Sequence, residues 1–255
     1  MGSIPIGGSN TMNMNLCVVT AYTPNIARLG DFTSSVDKAY CDKQGYALRV
    51  FTSGFDTRRA PMWSKILFLR EALKDHPWVF WIDSDAIFTN HAIRIEQFIQ
   101  MGGDFFICRD FPHNMFNTGT MLLRSCDWSF WLLDEVWKRE DMANKLFHEQ
   151  TAINDLYAAG KLGQHVVWYP NRAFNSFTYV TPELLQGQPA QNFLWQKGDF
   201  VAHCPGSGMD KSTTMRNIAA ECGIVPSAST VFEKRTLSGE KKSCKVRGAT
   251  VVVVL

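Results

Sequence analysis

Two aspartates directly follow an apolar, aromatic segment of the chain. Residues 78–82 read Trp-Val-Phe-Trp-Ile, and Asp83, Ser84 and Asp85 come next. Ionised carboxylates at the rim of a core are costly unless they are paired, hydrogen-bonded or bound to a metal. At positions i and i+2 of an extended chain both side chains point the same way, and their oxygens suit a hard divalent cation. We expect Asp83 and Asp85 to bind Mn²⁺ or Mg²⁺, which could in turn hold a diphosphate.

An Asx-turn or a helix cap after the strand is the simpler explanation of the same residues. Short polar side chains are common at such positions, and a lone Asp-x-Asp pattern occurs often in chains of this size. The preceding aromatic run makes uncompensated charge expensive at this point. That cost favours the metal site over the turn.

Length and charge restrict the class of protein. The chain has 255 residues, of which 45% are hydrophobic, so it can bury one large core and form one main domain. The formal net charge is +2, and acidic and basic residues are interspersed without a basic stripe. Nucleic acid is therefore not an expected partner.

Cysteine usage and the chain start suggest a compartment. The seven cysteines are odd in number and scattered, which is typical of reduced thiols in a cytosol-like environment. No apolar run approaches the roughly 20 residues of a membrane span, and residues 1–14 lack the pattern of a signal peptide. We interpret residues 1–14 as an extension or tag remnant and expect a cytoplasmic protein.

Strand-like and helix-like segments alternate along most of the chain. Gly45 is a plausible stop for the first helix, and Pro61 and Pro77 bracket the second. The order indicates a β-α-β opening and a parallel sheet. We therefore predict an α/β fold with a single Rossmann-like domain over residues 15–208, in which helices flank a central, mostly parallel sheet. Residues 209–255 are interpreted as a tail or linker. The predicted strands are residues 16–20, 47–51, 78–82, 104–108, 117–124, 166–169 and 200–203.

Several residues near the carboxyl ends of these strands could bind a nucleotide. Open α/β sheets bind ligands at that edge, which includes Thr20, Ala21 and Tyr22 at the end of the first strand. Tyr22 could stack on a base, although an ordinary loop tyrosine is equally compatible with the sequence. Lys65 could contact a phosphate or could be a solvated helix lysine. Arg58 is a weaker phosphate candidate.

Six short motifs in a fixed order carry a resemblance to a known family. The chain resembles the galactosyl/xylosyltransferase family, glycosyltransferase family 34, which includes fungal α-1,2-galactosyltransferases and plant xyloglucan xylosyltransferases. It is also similar to the small glycosyltransferases of large algal viruses, which lack a Golgi anchor. The resemblance covers about residues 16–205. Its motifs are Lys38-Ala-Tyr-Cys with Gly45-Tyr, Trp63-Ser-Lys, Asp83-Ser-Asp-Ala, Asn117-Thr-Gly, His148-Glu-Gln and Gly198-Asp-Phe-Val-Ala-His.

The resemblance implies a GT-A fold and a metal-dependent, retaining transfer of a sugar from a UDP-sugar donor to a hydroxyl of a saccharide or glycan acceptor. It makes His203 the third metal ligand beside Asp83 and Asp85. It places Gln150 near the anomeric carbon, where its carbonyl would stabilise oxocarbenium-like charge. Three residues are expected to border the sugars, and Ser84 belongs to the donor site. The three residues are Asn117, Thr118 and Gly119.

The sequence leaves several alternatives open. Glu149 could be a nucleophile or an ordinary first-turn acid. Asp104 and Asp110 are candidate partners of sugar hydroxyls. A nucleotidyltransferase or phosphohydrolase could use the same metal site, since a metal-bound diphosphate does not determine which bond breaks. A non-catalytic sugar-binding module with a structural cation is a further possibility.

Overall fold

The computed structural model describes residues 15–100, 102–206, 209–228 and 233–234. The predicted extension over residues 1–14 and most of the predicted tail after Ala228 lie outside the described residues. Within them the chain forms ten strands and six α-helices. The strands are β1 Leu16–Ala21, β2 Ala47–Phe51, β3 Trp78–Ile82, β4 Ala86–Phe88, β5 Phe105–Arg109, β6 Phe116–Arg124, β7 Val166–Tyr169, β8 Ser176–Phe177, β9 Val201–His203 and β10 Glu233–Lys234. The helices are α1 Ala27–Gln44, α2 Ser64–Ala72, α3 Asp127–Trp137, α4 His148–Ala158, α5 Pro182–Leu185 and α6 Lys211–Glu221.

Seven of the strands form one central sheet in the order β10-β2-β1-β3-β6-β5-β7. Neighbouring strands are parallel except at β6, which runs antiparallel to both β3 and β5. The predicted α/β architecture with a mostly parallel sheet is confirmed. Because β1 and β3 are parallel neighbours, their carboxyl ends meet at one edge of the sheet.

Helices cover both faces of this sheet. Alternate residues of β3 belong to two separate core clusters, Val79 and Trp81 on one face and Phe80 and Ile82 on the other. The first cluster contains buried residues of α2, α3 and α4, and the second contains residues of α1. A strand buried on both faces reads as a continuous apolar run, as residues 78–82 do.

A second, three-stranded sheet begins immediately after Asp85. Its order is β4-β9-β8, with β4 antiparallel to β9 and β8 parallel to β9. The register pairs Ala86 with His203. This pairing carries a residue from late in the chain to the end of β3.

Helix α6 lies beyond residue 208, where the sequence analysis ended the domain. Met215, Ile218 and Ala219 of α6 are buried in a cluster with residues of α1, β4 and β9. The backbone N–H of Ser227 donates a hydrogen bond to the carbonyl oxygen of Ser35 in α1. This helix, which packs against the domain, was not predicted from the sequence.

None of the described helices combines the length and the apolar character that a membrane crossing would require.

Asp37 generates a stability prediction. Its carboxylate lies in α1 and accepts a hydrogen bond from the Phe88 N–H of β4 at 3.2 Å. Burial raises the pKa of Asp37 well above its usual value, although the Phe88 N–H partly opposes this. Because the pKa of Asp37 is higher in the folded state than in the unfolded state, the free energy of unfolding falls by about 1.4 kcal/mol per pH unit as the pH rises between the two pKa values. Asp37→Asn should therefore raise the melting temperature near pH 8, and the gain should shrink towards pH 4.

Thermal unfolding of both proteins across this pH range measures the effect. Asp42→Asn on the exposed side of the same helix is the matched control, because Asp42 pairs with Lys38 at the surface. A gain for Asp37→Asn that does not vary with pH, or a loss near pH 8, would contradict the prediction.

Candidate active site

Three side chains converge at the end of β3. One ligand atom from each of Asp83, Asp85 and His203 lies within 4.8 Å of the others. The N–H of Asp83 donates to the carbonyl oxygen of Gly119 at 2.8 Å, and the N–H of Cys204 donates to the carbonyl oxygen of Asp85 at 2.9 Å. Backbone hydrogen bonds to β6 and to the end of β9 therefore hold the two aspartates in place.

A chain of hydrogen bonds behind His203 sets its tautomer. Asn117 Oδ1 accepts from the Gly119 N–H and from Asn175 Nδ2, both at 2.9 Å. Asn175 therefore presents its carbonyl oxygen to His203 Nδ1, at 2.9 Å. Nδ1 must therefore carry a proton. Nε2 lies 3.3 Å from Asp85 Oδ1, so it pairs with that carboxylate when it is protonated and offers its lone pair to a cation when it is not. A carbonyl oxygen behind the ring in this way is typical of metal-binding histidines.

Two lysines balance the aspartates from opposite sides. Lys65 Nζ lies 2.9 Å from Asp83 Oδ1, and Lys211 Nζ lies 2.6 Å from Asp85 Oδ2. Burial alone would raise the pKa of Asp85, but His203 and Lys211 outweigh it and hold that pKa well below its usual range. Asp85 is therefore a carboxylate at neutral pH.

Lys65 is directed entirely at protein acceptors. Besides Asp83, its ammonium group contacts Glu149 Oε1 and the carbonyl oxygen of Thr118, each at 2.9 Å. Burial would lower the pKa of Lys65, but the two carboxylates raise it above the usual value, so the group stays charged. Because three acceptors match the three ammonium protons, Lys65 supports the aspartate from within the core instead of facing a phosphate.

Helix α4 begins with a strained backbone that sets Glu149 and Gln150 against β6. Phe147 and His148 have φ angles of 69° and 50°, in the left-handed region that non-glycine residues rarely adopt. Gln150 Oε1 accepts from the Thr118 N–H at 3.1 Å, and Glu149 Oε1 accepts from the Thr118 hydroxyl at 3.1 Å. The strained turn thus delivers both side chains to the strand that borders the aspartates.

A cavity of about 760 Å³ opens beside this region. Asp110 lies in its wall and accepts a hydrogen bond from Gln150 Nε2 at 2.9 Å. Five of the twelve other lining residues carry side-chain amides and two are arginines, of which Arg172 is paired with Asp199. The amide side chains in the wall are Asn114, Asn171, Gln188, Gln191 and Asn192.

Some residues predicted to bind the nucleotide lie apart from the carboxylates or beneath the surface. Tyr22 is 3% exposed; its ring packs against Gly30 and its hydroxyl donates to Asp31, so the ring is covered in this structure. Thr20 is buried and Ala21 is half-buried at the end of β1. The side chain of Arg58 is 75% exposed and pairs with Asp56.

Ser84 is half-buried, and its carbonyl oxygen accepts a hydrogen bond from the Thr33 hydroxyl at 2.9 Å. Asp104 lies at the opposite end of β5 from Asp110, where it bonds to Arg124 and His165. The structure thus brings only Asp110 of these two aspartates to the cavity.

Sequence reasoning missed Lys211 and Asn175. Lys211 lies in the segment Gly206-Ser-Gly-Met-Asp-Lys-Ser, which fails as a phosphate loop because Asp210 replaces the required glycine. Its position eight residues after His203, a candidate metal ligand, was the feature of the sequence that could have placed it near the site. Asn175 carries no local pattern, and only the pairing of β8 with β9 brings it beside the histidine.

Known proteins match this chain in sequence and in structure. The profile of the galactosyl transferase GMA12/MNN10 family matches residues 32–102 and 97–213. Probable glycosyltransferase 3 of Oryza sativa is 33% identical over 106 residues, which is 37% of this chain and 23% of that protein. Xyloglucan 6-xylosyltransferase 4 of Arabidopsis thaliana is 29% identical over 133 residues, or 48% and 26% of the two chains. The match thus spans about a quarter of the plant relatives' length.

Solved GT-A glycosyltransferases share the fold. A glycosyltransferase involved in the glycosylation of the major capsid of PBCV-1 has a TM-score of 0.63 and 16% identity, over 80% of this chain and 98% of that chain. The galactosyltransferase LgtC, solved with donor and acceptor sugar analogs, has a TM-score of 0.52 and 14% identity, over 82% and 97%. At these identities the likeness establishes the GT-A fold alone.

The contact between Gly119 and His203 generates a prediction. A Cβ atom at position 119 would lie 2.1 Å from His203 Cε1 and 2.5 Å from Nδ1. Gly119→Ala should therefore displace the imidazole, destabilise the fold by about 1–3 kcal/mol and weaken Mn²⁺ binding. Thermal unfolding and isothermal titration with Mn²⁺ measure the two effects.

His203→Ala provides the control. With the imidazole removed, Gly119→Ala should cost much less further stability, because the two nearest clashing atoms are gone and only Asn117 Oδ1, 2.9 Å from the added Cβ, remains. Equal destabilisation by Gly119→Ala in the presence and absence of the His203 side chain would show that the contact is not responsible.

Proposed function

Because the chain belongs to the galactosyl transferase GMA12/MNN10 family, we propose that it is a metal-dependent glycosyltransferase. It moves a hexose or pentose from a UDP-sugar to a hydroxyl of a saccharide acceptor. The observation that carries this proposal is the convergence of Asp83, Asp85 and His203 at the carboxyl end of β3. Open α/β sheets bind their ligands at that edge.

The residues fit a divalent cation. The group offers two carboxylates and a histidine whose Nε2 lies 3.3 Å from Asp85, with Asn175 fixing the ring from behind. The mixed oxygen and nitrogen donors favour Mn²⁺ over Mg²⁺, because Mg²⁺ prefers oxygen ligands alone. When bound, the cation would neutralise the negative charge that develops on the leaving diphosphate.

Lys211 supplies a second positive charge to the diphosphate in this proposal. Its ammonium group pairs with Asp85, and its side chain is 24% exposed, against 5% for Lys65. It can therefore exchange Asp85 for a phosphate oxygen when the donor arrives. Charge-assisted hydrogen bonds of this kind are stronger than neutral ones.

The transfer proceeds with retention by front-face attack. The bond from the anomeric carbon to the diphosphate oxygen breaks, and the bond from the acceptor oxygen forms on the same face. The acceptor proton passes to the leaving phosphate oxygen. Gln150 Oε1 uses one lone pair for the Thr118 N–H and has a second for the positive charge on the sugar. Glu149 pairs with Lys65, which disfavours its use as a nucleophile.

The cavity beside Gln150 is the proposed acceptor site. Its volume of about 760 Å³ lies in the range of small-molecule sites, about 300–1,000 Å³. Its amide side chains match the hydroxyl groups of a saccharide, since each amide can donate and accept. Thr118 of β6 bonds to Gln150, which bonds to Asp110 in the cavity wall, and the neighbouring Gly119 bonds to Asp83. This part of β6 therefore connects the cavity to the aspartates.

Removing a carboxylate of the candidate metal group tests the function. Asp83→Ala or Asp85→Ala should reduce transfer at least about 10- to 100-fold, the range for residues that support a metal ligand. Each should also abolish the Mn²⁺-dependent rise in melting temperature that a bound UDP-sugar produces by mass action. A differential scanning screen of UDP-sugars with and without chelator measures the latter. Asp134→Ala at the surface is the control.

The products distinguish the alternatives. Sugar transfer releases a nucleoside diphosphate, whereas a nucleotidyltransferase or phosphohydrolase releases monophosphate or pyrophosphate. Unchanged Mn²⁺-dependent turnover in Asp85→Ala, or release of monophosphate by the unmodified protein, would refute the proposal.

Lys211→Gln tests the contribution of α6. Loss of one charge-assisted hydrogen bond should weaken UDP-sugar binding about 10- to 100-fold, while Mn²⁺ affinity rises or stays level because a competing cation is gone. Calorimetric titrations of metal and of donor separate these effects. Lys197→Gln is the control, and an equal loss in both variants would contradict a specific role.

A further inference from the structure

We propose that Asp110 is a positioning residue that fixes the side-chain amide of Gln150 and links it to the acceptor cavity. The inference rests on the proposed function, in which Gln150 stabilises charge on the transferred sugar. Asp110 directly follows β5 and is 7% exposed. It lies in the cavity wall and contacts Gln150 at the same time.

Each oxygen of Asp110 has a defined donor. Oδ1 accepts from the Phe111 N–H at 2.8 Å. Oδ2 accepts from Gln150 Nε2 at 2.9 Å and from Asn114 Nδ2 at 3.1 Å. The buried carboxylate thus accepts hydrogen bonds from the loop between β5 and β6 and from α4.

These contacts allow one orientation of the Gln150 amide. Nε2 donates to Asp110, and Oε1 accepts from the Thr118 N–H at 3.1 Å. Turning the amide by half a revolution would set the NH₂ group against the Thr118 N–H and the carbonyl oxygen against the carboxylate. Both new contacts are repulsive. Asp110 therefore holds the Gln150 carbonyl oxygen on the side of β6, where the candidate donor residues lie.

The carboxylate of Asp110 also lines the cavity that is proposed to bind the acceptor. Asp110 and Asn114 both line the cavity, and Oδ2 of Asp110 is the oxygen that accepts from Gln150 and Asn114. An acceptor hydroxyl that donates to Asp110 would compete with Asn114 and Gln150 for the same oxygen. A saccharide bound in the cavity thereby changes the hydrogen bonds that hold the side-chain amide of Gln150 in place.

Asp110→Asn tests the positioning role while preserving size. The NH₂ group of an asparagine at this position must face either the side-chain amides of Gln150 and Asn114 or the backbone N–H of Phe111. The first arrangement pairs donors with donors and turns the Gln150 amide. The second sets the NH₂ group against the Phe111 N–H, which breaks the hydrogen bond that fixes the side chain and displaces its oxygen from Gln150. We expect kcat for transfer to fall on the order of 100-fold, as for a misplaced catalytic group, while KM for the UDP-sugar changes less than about 3-fold.

A double-mutant cycle with Gln150→Ala separates positioning from general damage. If Asp110 acts through Gln150, the double variant should be no slower than Gln150→Ala alone. Asp104→Asn is the matched control, since Asp104 is a buried aspartate at the other end of β5. It should lower the melting temperature, leave kcat within about 3-fold and add independently to Gln150→Ala.

Additive losses from Asp110→Asn and Gln150→Ala, or an unchanged kcat in Asp110→Asn, would overturn this inference alone. Absence of transfer by the unmodified protein would overturn the proposed function and this inference with it.

If Asp110→Asn fails to fold, NMR of the unmodified protein tests whether the Gln150 amide is held in place. The side-chain NH₂ signals of Gln150, assigned by their loss in Gln150→Glu, should exchange slowly with water and shift when an acceptor saccharide is added. The exposed Gln186 amide is the reference. Exchange of the Gln150 amide as fast as that of Gln186 would overturn the proposal.

Discussion

The site depends on keeping two negative charges at the end of a strand that is buried on both faces. Asp83 and Asp85 leave β3 where the core ends, and each has a lysine at hydrogen-bond distance. Lys65 comes from α2 within the core, and Lys211 comes from α6 at the surface. Under the proposed function, Asp83 keeps its buried partner, while Asp85 exchanges Lys211 for the incoming ligand. A cation would then enter on the Asp85 side without unpairing the buried lysine.

Much of the framework could be predicted because its signals are local. Gly45 ends α1 with a φ angle of 77°, the conformation for which glycine is favoured. The apolar run over residues 78–82 forms the doubly buried β3, and the position of Asp83 and Asp85 at the sheet edge follows from it. His203 was reached only through the family resemblance, since its surrounding residues read as an ordinary core segment.

The unpredicted parts depend on contacts between distant segments. Strands β4 and β8 have three and two residues, too few to show a period, and both pair with β9, which was predicted. Their pairing nevertheless decides that Asn175 stands behind His203 and that Lys211 reaches Asp85. Tyr22 shows the opposite difficulty: its place at the end of a strand suggests exposure, but Gly30 of α1 lets the helix backbone approach and cover the ring.

Because of the register of β4 against β9, a bound cation would also stabilise the structure, in addition to its role in the reaction. Two of its candidate ligands come from one short turn, and the third comes from a strand more than a hundred residues later that leads into α6. A cation held by all three would close that long loop as a covalent cross-link does, at a cost in chain entropy that grows only slowly with loop length. Local opening of the three-stranded sheet would then require release of the metal, so occupancy of the metal site would govern how often α6 separates from the domain.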